Sequence, residues 1–316
     1  TAGVGMIGIA TNNQDYIDIA LYGTEKDGKR GFIALMDNLF SPDGYYTEGP
    51  YYTRYAILPY AVFANALNNW KPSLKIFQHR NNILQKALLT CLQQTNTDGT
   101  FFPFNDALKE KDYTSSGGAA IAAALATNKN IPAYYDYKTF ESADGVKGNE
   151  GGISVFRNGK GENLTSLLFK YTAHGLSHGH YDKLGIMLYD KGNEILTNYG
   201  SVRFIGVEQK YGGRYLTENK KYAGQTIAHN TIVVDETSHF EGKESIAENF
   251  HSDKLFSNIS NPAVQVVAAK EDNAYKNTHM QRTLYMLELP GDKKMIVDLF
   301  NVESDKEHQY DLPFQY

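Results

Sequence analysis

Three of the chain's nine histidines fall within seven residues, His174-Gly-Leu-Ser-His178-Gly-His180, followed by Tyr181-Asp182-Lys183. Imidazole is the side chain that titrates nearest neutral pH, and it is also a common metal ligand. His178 and His180 are two apart, so on a strand both rings would face one way, with Gly179 letting backbone or ligand approach between them. Such a pair could move protons or form half of a metal site; the alternative is a loop of purely structural histidines. A second polar interruption, Gln225-Thr-Ile-Ala-His229-Asn230-Thr231, opens the apolar run Ile232-Val233-Val234. An imidazole and an amide there are costly unless both find partners. Leu196-Thr197-Asn198-Tyr199-Gly200 is a third interruption at a strand end. If the three converge on one sheet face, they make a site.

The first half of the chain supplies phenols instead. Residues 41–55 hold five tyrosines, Glu48 and Arg54. A phenol, with an unperturbed pKa of about 10, is an acid as it stands and a base only where positive charge stabilises its phenolate. Arg54 is the cation at hand to supply that charge to one of these phenols. The segment reads either as an interhelix loop packed on a sheet or as a rigid loop presenting a phenol and a cation to a cleft between domains, where ligand sites concentrate. The surplus of 23 tyrosines over a single tryptophan suits a surface that stacks on sugars, although sheet packing accounts for most of them.

The elements that must position these groups change character midway. Apolar residues recur at three- and four-residue spacing over 15–22, 31–40, 54–68, 73–94 and 117–127, which predicts paired helices, with Ser73 as an N-cap and Pro59 as a kink or a first turn. From about Gly151 the period becomes 2. Strands are expected over 153–157, 167–171, 184–189, 194–197, 231–234, 263–268, 282–287 and 294–299, joined by turns as an antiparallel meander. The boundary is placed in the polar, glycine-containing stretch 137–150. Two domains follow: 1–145, part of a helical toroid or bundle, and 146–316, an antiparallel sheet domain. For 316 residues two cores are the expected number.

Composition excludes several classes. Charged residues make up 21% and hydrophobic residues 41%, a globular balance. No apolar run approaches the roughly 18 residues a membrane span needs. The formal charge is −5, with both signs interspersed, so no basic face offers itself to nucleic acid. The lone Cys91 permits no internal disulfide and no cysteine-based metal cluster.

Four segments together, Ser41-Pro-Asp-Gly-Tyr-Tyr-Thr-Glu-Gly-Pro-Tyr-Tyr52, Ser177-His-Gly-His-Tyr-Asp-Lys-Leu184, Asn198-Tyr-Gly-Ser-Val-Arg-Phe204 and Gln225-Thr-Ile-Ala-His-Asn-Thr231, resemble the heparinase II/III superfamily of polysaccharide lyases, and most of all its exo-acting oligoalginate lyases. The likeness runs over nearly the whole chain with the motifs in order. It implies a partial (α/α) toroid followed by an antiparallel β-sheet, sandwich-like domain, and β-elimination on uronic acid chains. By the same resemblance Tyr52 matches the catalytic tyrosine, with Tyr51 the other register. Tyr215 is similar to a second active-site tyrosine, and His180 is a third catalytic candidate. Tyr51, Arg54, His178, Arg203, His229 and Asn230 are expected to bind substrate. No cofactor is required by this reading. In several relatives a zinc ion is held by two histidines and an aspartate, and the matching positions are His180, His229 and Asn198. An amide brings no negative charge, so zinc here is expected to be weak and structural, leaving His180 or His229 to meet the substrate.

The resemblance also places a carboxylate-neutralising asparagine or histidine upstream of the catalytic tyrosine. Asn12-Asn13-Gln14 stands too close to Tyr52 to serve. Both ends read as cut, so the piece alone is expected to be incomplete and inactive. The partner expected is an acidic oligosaccharide or polysaccharide, alginate first and heparin or heparan sulfate second, in the periplasm or outside the cell. A non-catalytic sugar-binding protein and, more distantly, a metal-dependent hydrolase are the competing readings.

Overall fold

The computed structural model describes residues 1–108, 137–201 and 215–316. The helix expected over 117–127 and the candidate Arg203 lie outside them. The helical half contains α1 (Ala2–Ala10), α2 (Gln14–Tyr22), α3 (Gly31–Asn38), α4 (Pro50–Trp70) and α5 (His79–Gln93). The Asn13 side chain accepts from the Tyr16 amide and caps α2. Pro50 stands in the first turn of α4, where its missing N–H costs nothing, and Pro59 lies inside the same helix. The predicted start at Ser73 is wrong: Pro72–Leu74 and Ile76–Gln78 are single 3₁₀ turns, broken by Lys75 at a left-handed φ of 48°. Arg80, Asn81 and Asn82 are left-handed too, so regular helix in α5 begins at Ile83. The apolar faces meet in one core that includes Phe32, Met36, Phe63, Leu67, Leu84 and Leu88.

The sheet half is the expected meander. Strands β1 (Phe140–Ala143), β2 (Gly151–Asn158), β3 (Thr165–Thr172), β4 (Gly185–Asp190) and β5 (Asn193–Leu196) pair antiparallel in sequence order. Further along, β7 (Asp253–Asn258), β8 (Val264–Tyr275), β9 (Thr278–Leu289) and β10 (Lys293–Ser304) form a second antiparallel sheet in consecutive order. The strand expected over 231–234 shrinks to β6 (Val233–Val234), paired with β11 (Tyr310–Asp311). Strand β1 was unforeseen: it lies in the stretch read as a linker, so strand pairing begins at Phe140.

A second core holds the two sheets together. Phe156, Phe169, Leu184, Val267, Leu284 and Met286 fill the space between them. Arg282 of β9 is fully buried and crosses that space, pairing with Asp298 and donating to the carbonyls of Leu184 and Asn230 at 2.8 and 2.6 Å. A third core joins the halves. Tyr45, Phe102 and Phe104 from the helical side pack on Ile153, Val155, Leu168, Met187 and Tyr189 of the first sheet. Each buried aromatic of this kind contributes about 1.5–3 kcal/mol. This packing fixes the loop immediately after Phe104, which carries the site.

His174 and His239 are buried, and burial pushes both imidazoles down to about 3. A group with a depressed pKa in the folded state stabilises the fold above its unfolded value of about 6.5, and that contribution is lost as pH falls toward the folded value. Each neutral histidine therefore removes about 2 kcal/mol of stability between pH 6.5 and 5. His239→Gln is expected to flatten the pH dependence of the denaturant midpoint by that amount; equal slopes in variant and parent would refute it.

Candidate active site

The site is assembled from α4, the loop after Phe104 and three segments of the sheet half. Tyr52, in the first turn of α4, lies face to face with His178 across the junction of the two halves, at 3.8 Å between ring centroids and 19° between planes. His178 is not on a strand as expected: it ends the 3₁₀ turn Leu176–His178, and His180 follows two residues on in a loop. The rings are nevertheless brought to one group, because Asp106 accepts from His178 Nδ1 at 3.1 Å and from His180 Nε2 at 3.2 Å. Asn219 Nδ2 donates to the same carboxylate at 2.9 Å. Beyond His180 stands His229, 5.3 Å away between centroids. The histidine pair and the second histidine segment therefore do converge.

The electrostatics follow from burial and from Asp106. Burial alone would push the Asp106 carboxyl up, but the hydrogen bonds from His178 and His180 outweigh it and hold the group well below the usual carboxylate range. Tyr52 moves the other way. Burial raises its phenol well above 10, and the negative charge of Asp106 adds to the shift. Arg54 does not offset this: its guanidinium lies over the rings of Tyr51 and Tyr55, at 4.1 and 4.3 Å, and donates to the Tyr55 hydroxyl at 2.7 Å. Tyr52 is thus a phenol, a proton donor, at neutral pH. His229 is buried and pushed down to about 3 by that burial, so it is neutral.

The remaining candidates fall around this line of contacts. Tyr215 is 71% exposed and lines a cleft of about 390 Å³ with Asp106, His180, Asn219 and Lys220. Tyr51 is buried edge-on to Tyr52, its hydroxyl 3.3 Å from that of Tyr55. Asn230 is committed to backbone: it donates to the carbonyls of Ile186 and Thr197 and accepts from the Gln315 amide. It braces the segment before β6. Asp106 and Asn219 escaped the sequence reading, as did a buried cluster beneath them, where Lys170 Nζ reaches Asn105 Oδ1 at 2.5 Å and Asp182 Oδ1 at 2.7 Å. The one signal was the step from Phe101-Phe-Pro-Phe104 to Asn105-Asp106, two polar residues ending an aromatic run.

Residues 141–316 match the model of the heparinase II/III-like C-terminal domain. The chain belongs to the heparinase II/III-like family. It is 41% identical over 346 residues to an exo-oligoalginate lyase of Saccharophagus degradans, covering all of this chain and 47% of that protein. Against an alginate lyase of Stenotrophomonas maltophilia the identity is 38% over 348 residues, again over the whole chain and 46% of the relative. The chain therefore spans about half the length of the curated relatives it matches. Among solved structures, a heparinase III superposes with a TM-score of 0.72 at 14% identity, over 99% of this chain and 48% of that one. A heparan sulfate lyase, HepC of Pedobacter heparinus, gives 0.68 at 17%, over 93% and 44%. These neighbours share the helical segment followed by antiparallel sheets.

The zinc ion that the family resemblance implies does not fit the residues of this heparinase II/III-like chain. His180 Nδ1 and His229 Nε2 are buried without hydrogen-bond partners, a feature that two metal ligands would share. But Asn198 approaches His229 at Nδ1, donating at 3.2 Å, which leaves the proton of that neutral ring on Nε2, where a metal would need a lone pair. The Asn198 oxygen is taken by the Gly200 amide at 2.9 Å. Asp182 is held by Lys170. No group of three histidine, cysteine, aspartate or glutamate side chains among the described residues could hold a metal. Among the same residues no helix is long and apolar enough to cross a membrane.

Proposed function

We propose that this chain forms the catalytic cleft of a polysaccharide lyase that shortens uronic acid oligosaccharides from one end by β-elimination, with alginate as the first substrate. The observation that carries the reading is the stack of Tyr52 on His178, with His178 and His180 sharing Asp106. A phenol from the helical half thus meets an imidazole of the sheet half next to the cleft that Asp106 and His180 line. The names of the two curated relatives favour alginate.

The residue types suit the reaction. The C5 proton of a uronate becomes removable when charge delocalised onto the carboxylate is stabilised. A base takes that proton, the freed electron pair forms the C4–C5 double bond, the C4–O bond breaks, and an acid returns a proton to the departing oxygen. Tyr52, kept protonated by burial and by Asp106, is the acid. His178, with Nδ1 facing Asp106, keeps Nε2 as a basic nitrogen beside it. Tyr215 and Lys220 line the cleft where a sugar would lie. A polysaccharide substrate suits an enzyme that works in the periplasm or outside the cell.

The second substrate, heparan sulfate, rests on the fold shared with heparinase III. Against it, the chain has seven arginines among 31 basic residues, whereas dense sulfate is best held by bidentate guanidinium. The full-length protein carrying this chain, given alginate and heparan sulfate oligosaccharides in separate reactions, is expected to raise the ultraviolet absorbance of unsaturated product with alginate. Absorbance rising with heparan sulfate alone would reverse the substrate, and none with either would remove the lyase reading.

A further inference from the structure

We propose that Asp106 is a positioning residue for the cleft: its carboxylate, reaching across from the helical half, fixes which nitrogen of His178 and of His180 carries the proton and which way the Asn219 amide faces. The catalytic consequence rests on the lyase reading above; the protonation pattern does not.

The loop is built to hold that carboxylate still. Phe102 and Phe104 are buried in the core joining the halves. Asn105 then takes a left-handed turn, φ 57°, and its side-chain oxygen is gripped by the buried Lys170 ammonium. The Asp106 amide donates to the His178 carbonyl at 3.1 Å, so the backbone of the two segments is pinned as well as their side chains.

A carboxylate accepts hydrogen bonds and donates none. Every nitrogen facing Asp106 must therefore bear a hydrogen. His178 meets it with Nδ1 and His180 with Nε2, so in their neutral forms two histidines only two residues apart take opposite tautomers. His178 is left with its lone pair on Nε2, and His180 with its lone pair on Nδ1, which is buried and unpartnered. Asn219 turns its amide nitrogen to Asp106, which sends Oδ1, also buried and unpartnered, the other way. Asn219, His180 and Asp106 line the same cleft. One carboxylate thereby converts three ambiguous side chains into three acceptors of defined position. Two of these acceptors, His180 Nδ1 and Asn219 Oδ1, are buried, whereas the His178 side chain stays 21% exposed, and its Nε2 beside Tyr52 is the one that proton removal needs.

An amide at 106 breaks the pattern without changing its shape. Asp106→Asn has one acceptor oxygen where two are used, and its NH₂ faces an imidazole nitrogen that must then offer a lone pair. One of the two histidines has to move its proton. The full-length protein with ¹⁵N-labelled histidines reports this directly, because long-range ¹H–¹⁵N spectra distinguish the two ring tautomers. His178 protonated at Nδ1 and His180 at Nε2 are expected in the parent, with one of them reversed in Asp106→Asn. In the same variant kcat on uronate oligosaccharide is expected to fall on the order of 10²–10⁴-fold with KM little changed, as for loss of a correctly oriented base. The opposite tautomers in the parent would overturn the proposal. So would identical spectra in parent and variant, with activity lost only in proportion to the unfolded fraction. If Asp106→Asn does not fold, the parent spectrum alone decides the assignment. If the parent forms no unsaturated product, the lyase reading fails while the spectra still test Asp106.

Discussion

Asp182→Ala is expected to lower the unfolding free energy by about 3–5 kcal/mol, the usual consequence of removing one partner from a buried ion pair. Asp182 and Lys170 expose only 4% and 3% of their side chains. Burial opposes ionisation of Asp182, but the Lys170 ammonium, 2.7 and 2.9 Å from its two oxygens, holds the carboxyl well below the usual range. Without it, Lys170 keeps only the Asn105 oxygen among these polar partners. The damage should spread, since Asn105 precedes Asp106 and Asp182 follows His180 by two residues. Replacing both members, Lys170→Met with Asp182→Leu, is expected to recover much of the loss, because the penalty arises from an uncompensated charge more than from the missing attraction. Denaturant midpoints of the parent, the single and the double variants check this. A loss below about 1 kcal/mol in the single variant would place the pair among weak, solvated ion pairs.

The two halves were legible in the sequence because periodicity reports burial directly. Leu167-Leu168-Phe169-Lys170-Tyr171 reads as a strand, and β3 follows it with two residues to spare at its N-terminal end and one at its C-terminal end. Where burial does not alternate, the signal fails. Strand β7 is mostly exposed and β1 is four residues long in polar sequence, so neither stood out. The convergence of His178, His180 and His229 was also legible, as polar groups in apolar surroundings that must find partners. What they find was not. Asp106 lies 72 residues before His178, and nothing in local spacing connects a single aspartate with a histidine so distant. Only the packing of Phe102 and Phe104 on the first sheet brings them together. Arg54 failed for a related reason: its spacing from Tyr52 suggested an ion pair, but on a helix neighbours two apart point in different directions, and its guanidinium settles on Tyr51 and Tyr55 instead.

Tyr52→Phe separates catalysis from sugar binding more sharply than any other change. The substitution removes one oxygen and keeps the ring, so the 3.8 Å stack on His178 survives. If Tyr52 returns the proton to the leaving oxygen, kcat falls on the order of 10²–10⁴-fold, or about 3–5 kcal/mol of transition-state stabilisation, while KM stays near that of the parent. The direction of the phenol's shift sharpens the argument. Because burial and Asp106 keep Tyr52 protonated well beyond neutral pH, the parent holds its acid ready across the physiological range, and the variant cannot be restored by moving the pH within it. A protein that only holds sugars would bind oligosaccharide equally well with either residue and release no unsaturated product from either. Retention of full turnover by Tyr52→Phe would move the proton donor into the neighbouring cleft, where Tyr181 and Tyr215 are the lining phenols, and the exposed Tyr215 would be the next to replace.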